Sequence, residues 1–322
     1  MFYSLFETVK PSPIMALDIS FWCGFSAQIS VMRDDVNHAV VSGNKLRKLK
    51  YPLQQAIAAG AKGITSFGGA YSNHAHALAY ACQQLGLPCQ LVIRGEEASA
   101  AQSATLADCQ RWGATIHPVT RADYRLRHQP EQQLTWALPG HHILPEGGSA
   151  VSALTGVAEL LDERTRQFRY IAAAVGSGGT AAGLQHGLAA GQKLLLVPAV
   201  RDASLPHRIA SLLEQVEVQS EIGHNQSLQP AICWLTGYEW GGFARLPAQL
   251  QQFIAAFYDR TGVLLDPVYT AKLAYAVIQE VAAKRLPADG SVLMYHSGGL
   301  QGWRGMQQRL IPEMQDCLAT LR

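Results

Sequence analysis

Charge is scarce in this chain. Asp, Glu, Lys and Arg make up 16% of its 322 residues, against about 25% in an ordinary globular domain. The 26 cations nearly balance the 24 acids, leaving +2. So small a net charge supplies no field to gather nucleic acid or an anionic lipid surface, and neither partner is expected. Long apolar runs are missing too, since none approaches the roughly 18 residues a membrane-crossing helix needs. The opening MFYSLFETVK carries Glu7 and lacks a basic start, an apolar middle and a small-residue cleavage site, so export by a cleaved leader is not expected. Six cysteines (Cys23, Cys82, Cys89, Cys109, Cys233, Cys317) are scattered without CxxC or Cys/His metal spacing. A chain this long needs no disulfide staples, so they read as reduced core thiols in a compact cytoplasmic protein with no metal site.

What is present is an alternation of helical and strand patterns, in a length that suits about two domains. GITSF, CQLVIRG, TIHPV, YIAAAVG, KLLLVPAV and SVLMYH read as strands, most of them apolar throughout. Between them KLRKLKYPLQQAIAAGA, SNHAHALAYACQQLG, SATLADCQRWGA, GVAELLDERTRQF and GTAAGLQHGLAAG read as helices, with Pro52 warning of a kink or a late start in the first. PAQLQQFIAAFYDRTG, YTAKLAYAVIQEVAAKR and LQGWRGMQQRLI continue the helical pattern, and Arg121 to Pro139 and Leu205 to Leu228 look less regular. Strands apolar on both faces and separated by helices of about ten or more residues imply parallel βαβ units, hence an α/β fold with open, mostly parallel sheets.

Three strands end in glycine turns. In YIAAAVGSGGTAAGL the turn is Gly176, Ser177, Gly178, Gly179 and Thr180 before a helix. Backbone amides at a helix start, freed of side chains by glycine and joined by two hydroxyls, suit a phosphate; the plain alternative is a tight strand-to-helix turn. The acid that a dinucleotide's ribose wants at the end of the next strand is absent, because LVPAVRDAS places Arg201 before Asp202. No Gly-Lys-Ser/Thr closes the loop as a nucleoside triphosphate would need, so a phosphate monoester is the better guest. In SFGGAYSNHAHALA a strand turns through Gly68 and Gly69 into Ser72, Asn73 and His74, offering amides for a carboxylate and a side-chain amide for a ring oxygen. A simple Ser/Asn helix cap would look the same, and His74 and His76 cannot share a helix face to hold a metal. In LMYHSGGLQG, Ser297 stands at a third such strand end. Ligands of open α/β sheets lie beyond the carboxyl ends of the strands, which draws the three together.

The stretch VVSGNKLRKLKY carries Lys45, Arg47, Lys48 and Lys50, and taken alone it is a solvated helix face. Beside a phosphate loop without nucleotide signatures, one lysine of this run suits pyridoxal phosphate, which asks for an amine and a phosphate cradle. Lys45, just after Gly43 and Asn44 at a turn into a helix, is the best placed; Arg47 and Lys48 would serve its field or the surface.

With RDDVNHAVVSGNKLRKLKY, FGGAYSNHAHALA, LPEGGSA, AVGSGGTAAGL, LLDPVYTAKL and HSGGLQG in that order, the chain resembles the D-cysteine desulfhydrase and 1-aminocyclopropane-1-carboxylate deaminase family of pyridoxal-phosphate enzymes, of the tryptophan-synthase-β fold type. The resemblance implies a large cofactor-binding domain of residues 1–47 and 147–322, a small inserted α/β domain of residues 48–146, and a homodimer. It implies that Lys45 holds the cofactor as a Schiff base and moves the substrate α-proton. Asn73 would face the cofactor's ring oxygen, Ser72 the substrate carboxylate, and Gly176 to Thr180 the phosphate. Tyr269 would stand by the substrate, with His74 and Phe243 lining its site, and Thr270 and Ser297 by the pyridine nitrogen.

In the family's deaminases a glutamate follows DPVY and a leucine follows the last histidine, where this chain has Thr270 and Ser297. A carboxylate would keep the ring nitrogen protonated, whereas hydroxyls suit a neutral ring and match the desulfhydrases. Phe243 stands where the deaminases carry a second tyrosine. The expected function is therefore α,β-elimination on a small amino acid, D-cysteine first. The alternatives are a deaminase or lyase for another small D-amino acid, a protein that binds the cofactor without turnover, and a phosphosugar-binding protein that uses the same glycine loop.

Overall fold

The computed structural model describes residues 5–6, 11–220, 232–243, 245–286 and 291–319. The strands are β1 (Ile14–Leu17), β2 (Ile29–Arg33), β3 (Gly63–Gly68), β4 (Cys89–Arg94), β5 (Thr115–Val119), β6 (His141–Leu144), β7 (Tyr170–Val175), β8 (Lys193–Pro198), β9 (Ile232–Trp234) and β10 (Val292–His296). The helices are α1 (Ser20–Cys23), α2 (Asn44–Ala58), α3 (Asn73–Leu85), α4 (Ala104–Arg111), α5 (Pro130–Trp136), α6 (Ser152–Ala158), α7 (Gly179–Gly187), α8 (Leu205–Ser220), α9 (Ala248–Thr261), α10 (Thr270–Ala282) and α11 (Pro312–Ala319).

The strands form two sheets, in the orders β1-β2-β10-β7-β8-β9 and β5-β4-β3-β6, parallel throughout except for β1 against β2. The larger sheet is sewn from both ends of the chain, because β10 slots between β2 and β7. The residues explain the burial. Val292 to His296 are all buried, as are five of the six residues from Tyr170 to Val175, as a strand covered by helices on both faces must be. Separate apolar clusters support the two sheets, one around Phe257, Ile254 and Met294, another around Leu78, Leu91 and Leu106. We propose the division into a large unit of residues 1–47 and 147–322 and a small one of 48–146; all four strands of the second sheet fall within 48–146.

Several elements differ from the sequence pattern. Helix α2 begins at Asn44 and runs straight through Pro52, which lacks the N–H that would bond the Lys48 carbonyl. The helix expected over Gly156 to Phe168 is instead α6, ending at Ala158, followed by a 3-10 turn at Glu163–Thr165. Leu205–Ser220, which looked irregular, is a 16-residue helix, and the remainder of that stretch lies outside the described residues. Leu300–Gly305 is 3-10 rather than α-helical. All six cysteines are free, and Cys82, Cys89, Cys109 and Cys317 are buried. Among the described residues no helix is long and apolar enough to cross a membrane.

Candidate active site

The four cations of the basic run have three different fates. Arg47 forms a bidentate pair with the wholly buried Asp34, at 2.8 and 2.7 Å, and Tyr295 donates to the same carboxylate at 2.6 Å. Lys50 pairs with Glu159 at the surface, 2.8 Å away. Lys45 and Lys48 lie one helical turn apart, hence on one face, and that face turns inward.

Lys45 reaches the site because of how α2 starts. Its N-cap, Gly43, has φ 68, and a Cβ there would fall 2.0 Å from the Ser297 carbonyl oxygen. Only glycine lets the chain turn so tightly against the end of β10. Asn44 then bridges two elements: its amide donates to Thr180 Oγ1 at 2.8 Å, and its Oδ1 accepts from Lys45 Nζ at 2.8 Å. Burial lowers Lys45 to about 8, with Asp266 pulling the other way. A neutral amine is thus within reach near physiological pH.

Lys48 is almost wholly buried, and its Nζ donates to Ser149 Oγ at 3.3 Å. Ser149 Oγ in turn lies 2.7 Å from Ser177 Oγ. A Cβ at Gly179 would come within 2.9 Å of Lys48 Nζ and 2.7 Å of Ser149 Oγ. The glycine loop therefore has a buried lysine at its floor. Burial, and the charge of Lys45 after it, hold Lys48 well below the usual lysine range. A buried amine with so little to bond takes up its proton most readily when an anion lies beside it, and so complements one. The cradle of amides, hydroxyls and lysine fits the phosphate of pyridoxal phosphate, and Lys45 fits its aldehyde.

The small sheet contributes from the end of β3. Ser72 caps α3, its Oγ accepting from Ala75 N–H at 3.2 Å. Asn73 Oδ1 accepts from Gln301, which orients the amide, and a Cβ at Gly299 would come 2.9 Å from Asn73 Nδ2. His74 is buried; its Nε2 meets Ser66 Oγ at 2.8 Å. Ser66 donates its own hydrogen to the Leu144 carbonyl at 2.7 Å, so Nε2 carries the proton and Nδ1 holds a lone pair. That Nδ1 is buried without a partner, and a Cβ at Gly148 would lie 3.2 Å from it. Burial, then Lys45 and Lys48, keep His74 neutral.

Tyr269 lies over the start of the phosphate loop, where a Cβ at Gly176 would fall 3.0 Å from Tyr269 Cε1. Burial, then the Asp266 and Glu146 carboxylates, raise its phenol far above the usual range, so it stays protonated. Phe243, 42% exposed, packs edge-on against Tyr269 with ring centroids 5.9 Å apart. Thr270 is tied to its own turn: Oγ1 donates to Asp266 Oδ2 at 2.6 Å and accepts from Asp266 N–H at 2.7 Å. The Ser297 hydroxyl is unpaired among the described residues.

Sequence reasoning missed Asn44, Ser149 and Gln301, and left Lys48 to the field or the surface. A signal existed for two of them, because Asn44 directly precedes the lysine and Lys48 is its i+3 neighbour. Ser149 and Gln301 lie within the quoted LPEGGSA and HSGGLQG stretches, but only the fold shows that they reach Lys48 and Asn73.

The family of pyridoxal-phosphate dependent enzymes matches residues 7–298, and the chain belongs to it. More particularly, it is 28% identical to a D-cysteine desulfhydrase of Serratia proteamaculans over 84% of this chain and 86% of that protein. It is also 28% identical to a bifunctional, mitochondrial D-cysteine desulfhydrase/1-aminocyclopropane-1-carboxylate deaminase of Arabidopsis thaliana, over 85% of this chain and 73% of that one. The crystal structure of an ACC deaminase homologue superposes with a TM-score of 0.77 at 23% identity, covering 96% of this chain and 97% of that one. The fold is accordingly tryptophan-synthase-β-like, and the cofactor is pyridoxal phosphate.

Proposed function

We propose that this chain is a lyase that removes the β-substituent of a small amino acid, with D-cysteine yielding pyruvate, sulfide and ammonia. The observation that carries this reading is the inward pair Lys45 and Lys48, an amine of lowered pKa one turn from a second buried lysine against the Gly176–Thr180 loop. When bound, the cofactor supplies an aldehyde for the substrate amine and a ring that draws charge from the α-carbon. Lys48, Ser177, Thr180 and the loop amides hold the phosphate. Asn73, oriented by Gln301, donates to the ring oxygen. Ser72 and the amides of the α3 start receive the substrate carboxylate, and His74 closes the wall behind them. Lys45 takes the α-proton at Nζ, and Tyr269, kept protonated, is a donor beside the departing thiolate.

Selection between elimination and cyclopropane opening rests on the ring nitrogen. Thr270 gives its hydrogen to Asp266, so it offers that nitrogen only a lone pair, while Ser297 has a hydrogen to donate. Neither is a carboxylate that would hold the ring as a cation, which favours the desulfhydrase over the deaminase. Phe243 contributes an apolar wall where a second phenol would otherwise act. The proposal includes a homodimer, as the family resemblance implies, and a cytoplasmic location, as the scattered cysteines suggest.

The test is product release by the cofactor-saturated protein from D-cysteine, L-cysteine and 1-aminocyclopropane-1-carboxylate. Pyruvate from D-cysteine in clear excess of the L-enantiomer supports the reading. The 2-oxobutanoate expected of cyclopropane opening, without pyruvate, overturns it in favour of the deaminase.

A further inference from the structure

Lys272 is a buried lysine that the chemistry above does not use. It stands two residues after Thr270 on α10, and its side chain is shut off from solvent. Its Nζ donates to three backbone carbonyls, those of Ala199, Glu239 and Gly242, each at 2.8 Å. Three ammonium hydrogens meet three acceptors, so the group is saturated. Backbone carbonyls gathered around one positive charge are also how proteins hold a bare monovalent ion. Here the ion is covalently attached to α10.

The carbonyls come from just past the end of β8 and from a turn after β9 that the chain does not adopt by default. Trp240 has φ 51 although it is not glycine, and Gly241 and Gly242 follow at φ 84 and 120. Such a backbone persists only where its surroundings hold it. Phe243 comes directly after this turn and meets the Tyr269 ring. The line from Lys272 through the turn to Phe243 therefore ends at the phenol beside the substrate.

We propose that Lys272 is a positioning residue that acts as a tethered monovalent cation, fixing the Glu239–Gly242 turn and so the Phe243 wall against Tyr269. The consequence for substrate rests on the reading of Tyr269 given above; the cation site itself does not.

Removing the tether separates these statements. Lys272→Ala leaves the three carbonyls around a space the size of an ammonium group. Its thermal unfolding is compared in choline chloride and in ammonium, methylammonium or potassium chloride at equal ionic strength. The expected result is a Tm several degrees below the unsubstituted protein in choline, recovered in large part by one of the small cations that leave the unsubstituted protein unmoved. With D-cysteine, KM rises several-fold at nearly constant kcat, and the same cation restores it. A variant that matches the unsubstituted protein in choline, or that responds alike to choline and to every small cation, overturns the proposal. If Lys272→Ala does not fold in any salt, Lys272→Gln decides, since its amide keeps two donors. A rise in KM with unchanged cofactor absorbance supports positioning, and loss of cofactor or of kcat alone overturns it. Absence of pyruvate from the unsubstituted protein would defeat the assigned reaction and leave the thermal result standing.

Discussion

Lys48 and Lys272 are both buried lysines, and their surroundings are opposites. Lys272 has three carbonyl oxygens at 2.8 Å, one for each hydrogen. Lys48 has one serine hydroxyl at 3.3 Å, with Lys45 as a neighbouring charge and a glycine loop above it. Burying a cation costs several kcal/mol unless hydrogen bonds and opposite charge offset it. The Lys272 region has met that cost within the protein. The Lys48 region has not, so its lysine is held toward the neutral amine, and an anionic ligand supplies what the charged form lacks. A buried charge reads as structural when its donors are satisfied and as a binding group when they are not.

The strongest disturbance is next to Lys48 rather than at it. Lys45→Ala removes the amine that captures the cofactor and moves the α-proton, and kcat should fall by about a thousandfold or more. The visible band of the bound cofactor should lose its lysine-dependent position as well; retained turnover would defeat the assignment. Lys48→Met sharpens the comparison directly. Losing one charge-assisted contact to phosphate should weaken cofactor binding by about ten- to a hundredfold in a titration. The cofactor-free variant should nonetheless unfold at the same or a higher temperature, because a buried amine with one long hydrogen bond is gone. Lys272→Met should do the reverse, leaving cofactor affinity within a few-fold. It strands the Ala199 carbonyl, while those of Glu239 and Gly242 keep the Gly242 and Arg245 N–H groups as partners, at a cost of about 1 to 3 kcal/mol. If both substitutions destabilise the cofactor-free protein equally, the distinction fails.

The two regions also differ in how far the sequence announced them. The phosphate loop was legible because strand, glycines, hydroxyls and helix are contiguous, and so was Lys45 beside its glycine turn. The parallel α/β character followed from runs such as Tyr170 to Val175. The Lys272 region was not legible, since its three carbonyls belong to Ala199, Glu239 and Gly242, and a backbone carbonyl carries no residue signature. Lys48 fell between, its spacing from Lys45 visible but its burial not. Strand β6 was missed because a four-residue, partly polar segment such as HHIL gains its structure from what it pairs with, and helix α8 because the polar residues of LPHRIASLLEQVEVQS blur its apolar spacing.

The next effect is one of pH. Lys45 has its pKa lowered to about 8, chiefly by burial, so it is cationic below that value and neutral above. A lowered cation pKa means that the reactive amine grows as pH rises. Capture of pyridoxal phosphate by the cofactor-free protein, followed by absorbance, should quicken by about tenfold between pH 7 and 9 and then level off. A normal lysine would still be climbing at pH 10, and that result would remove the argument from burial.

The smallest effect falls where the two regions meet. Tyr269 lies over Gly176 on the side of the phosphate loop and edge-on to Phe243 on the side of the Lys272 turn. Its ring packs and its hydroxyl donates, and Tyr269→Phe removes only the second. One neutral hydrogen bond contributes about 0.5 to 1.5 kcal/mol, so kcat with D-cysteine should fall by about two- to tenfold while cofactor affinity holds. Phe243→Ala removes packing instead and should raise KM by a comparable factor. If Tyr269→Phe instead releases the cofactor, the hydroxyl belongs to the phosphate side of the site, and the line drawn from Lys272 through Phe243 ends at the cofactor rather than at the substrate.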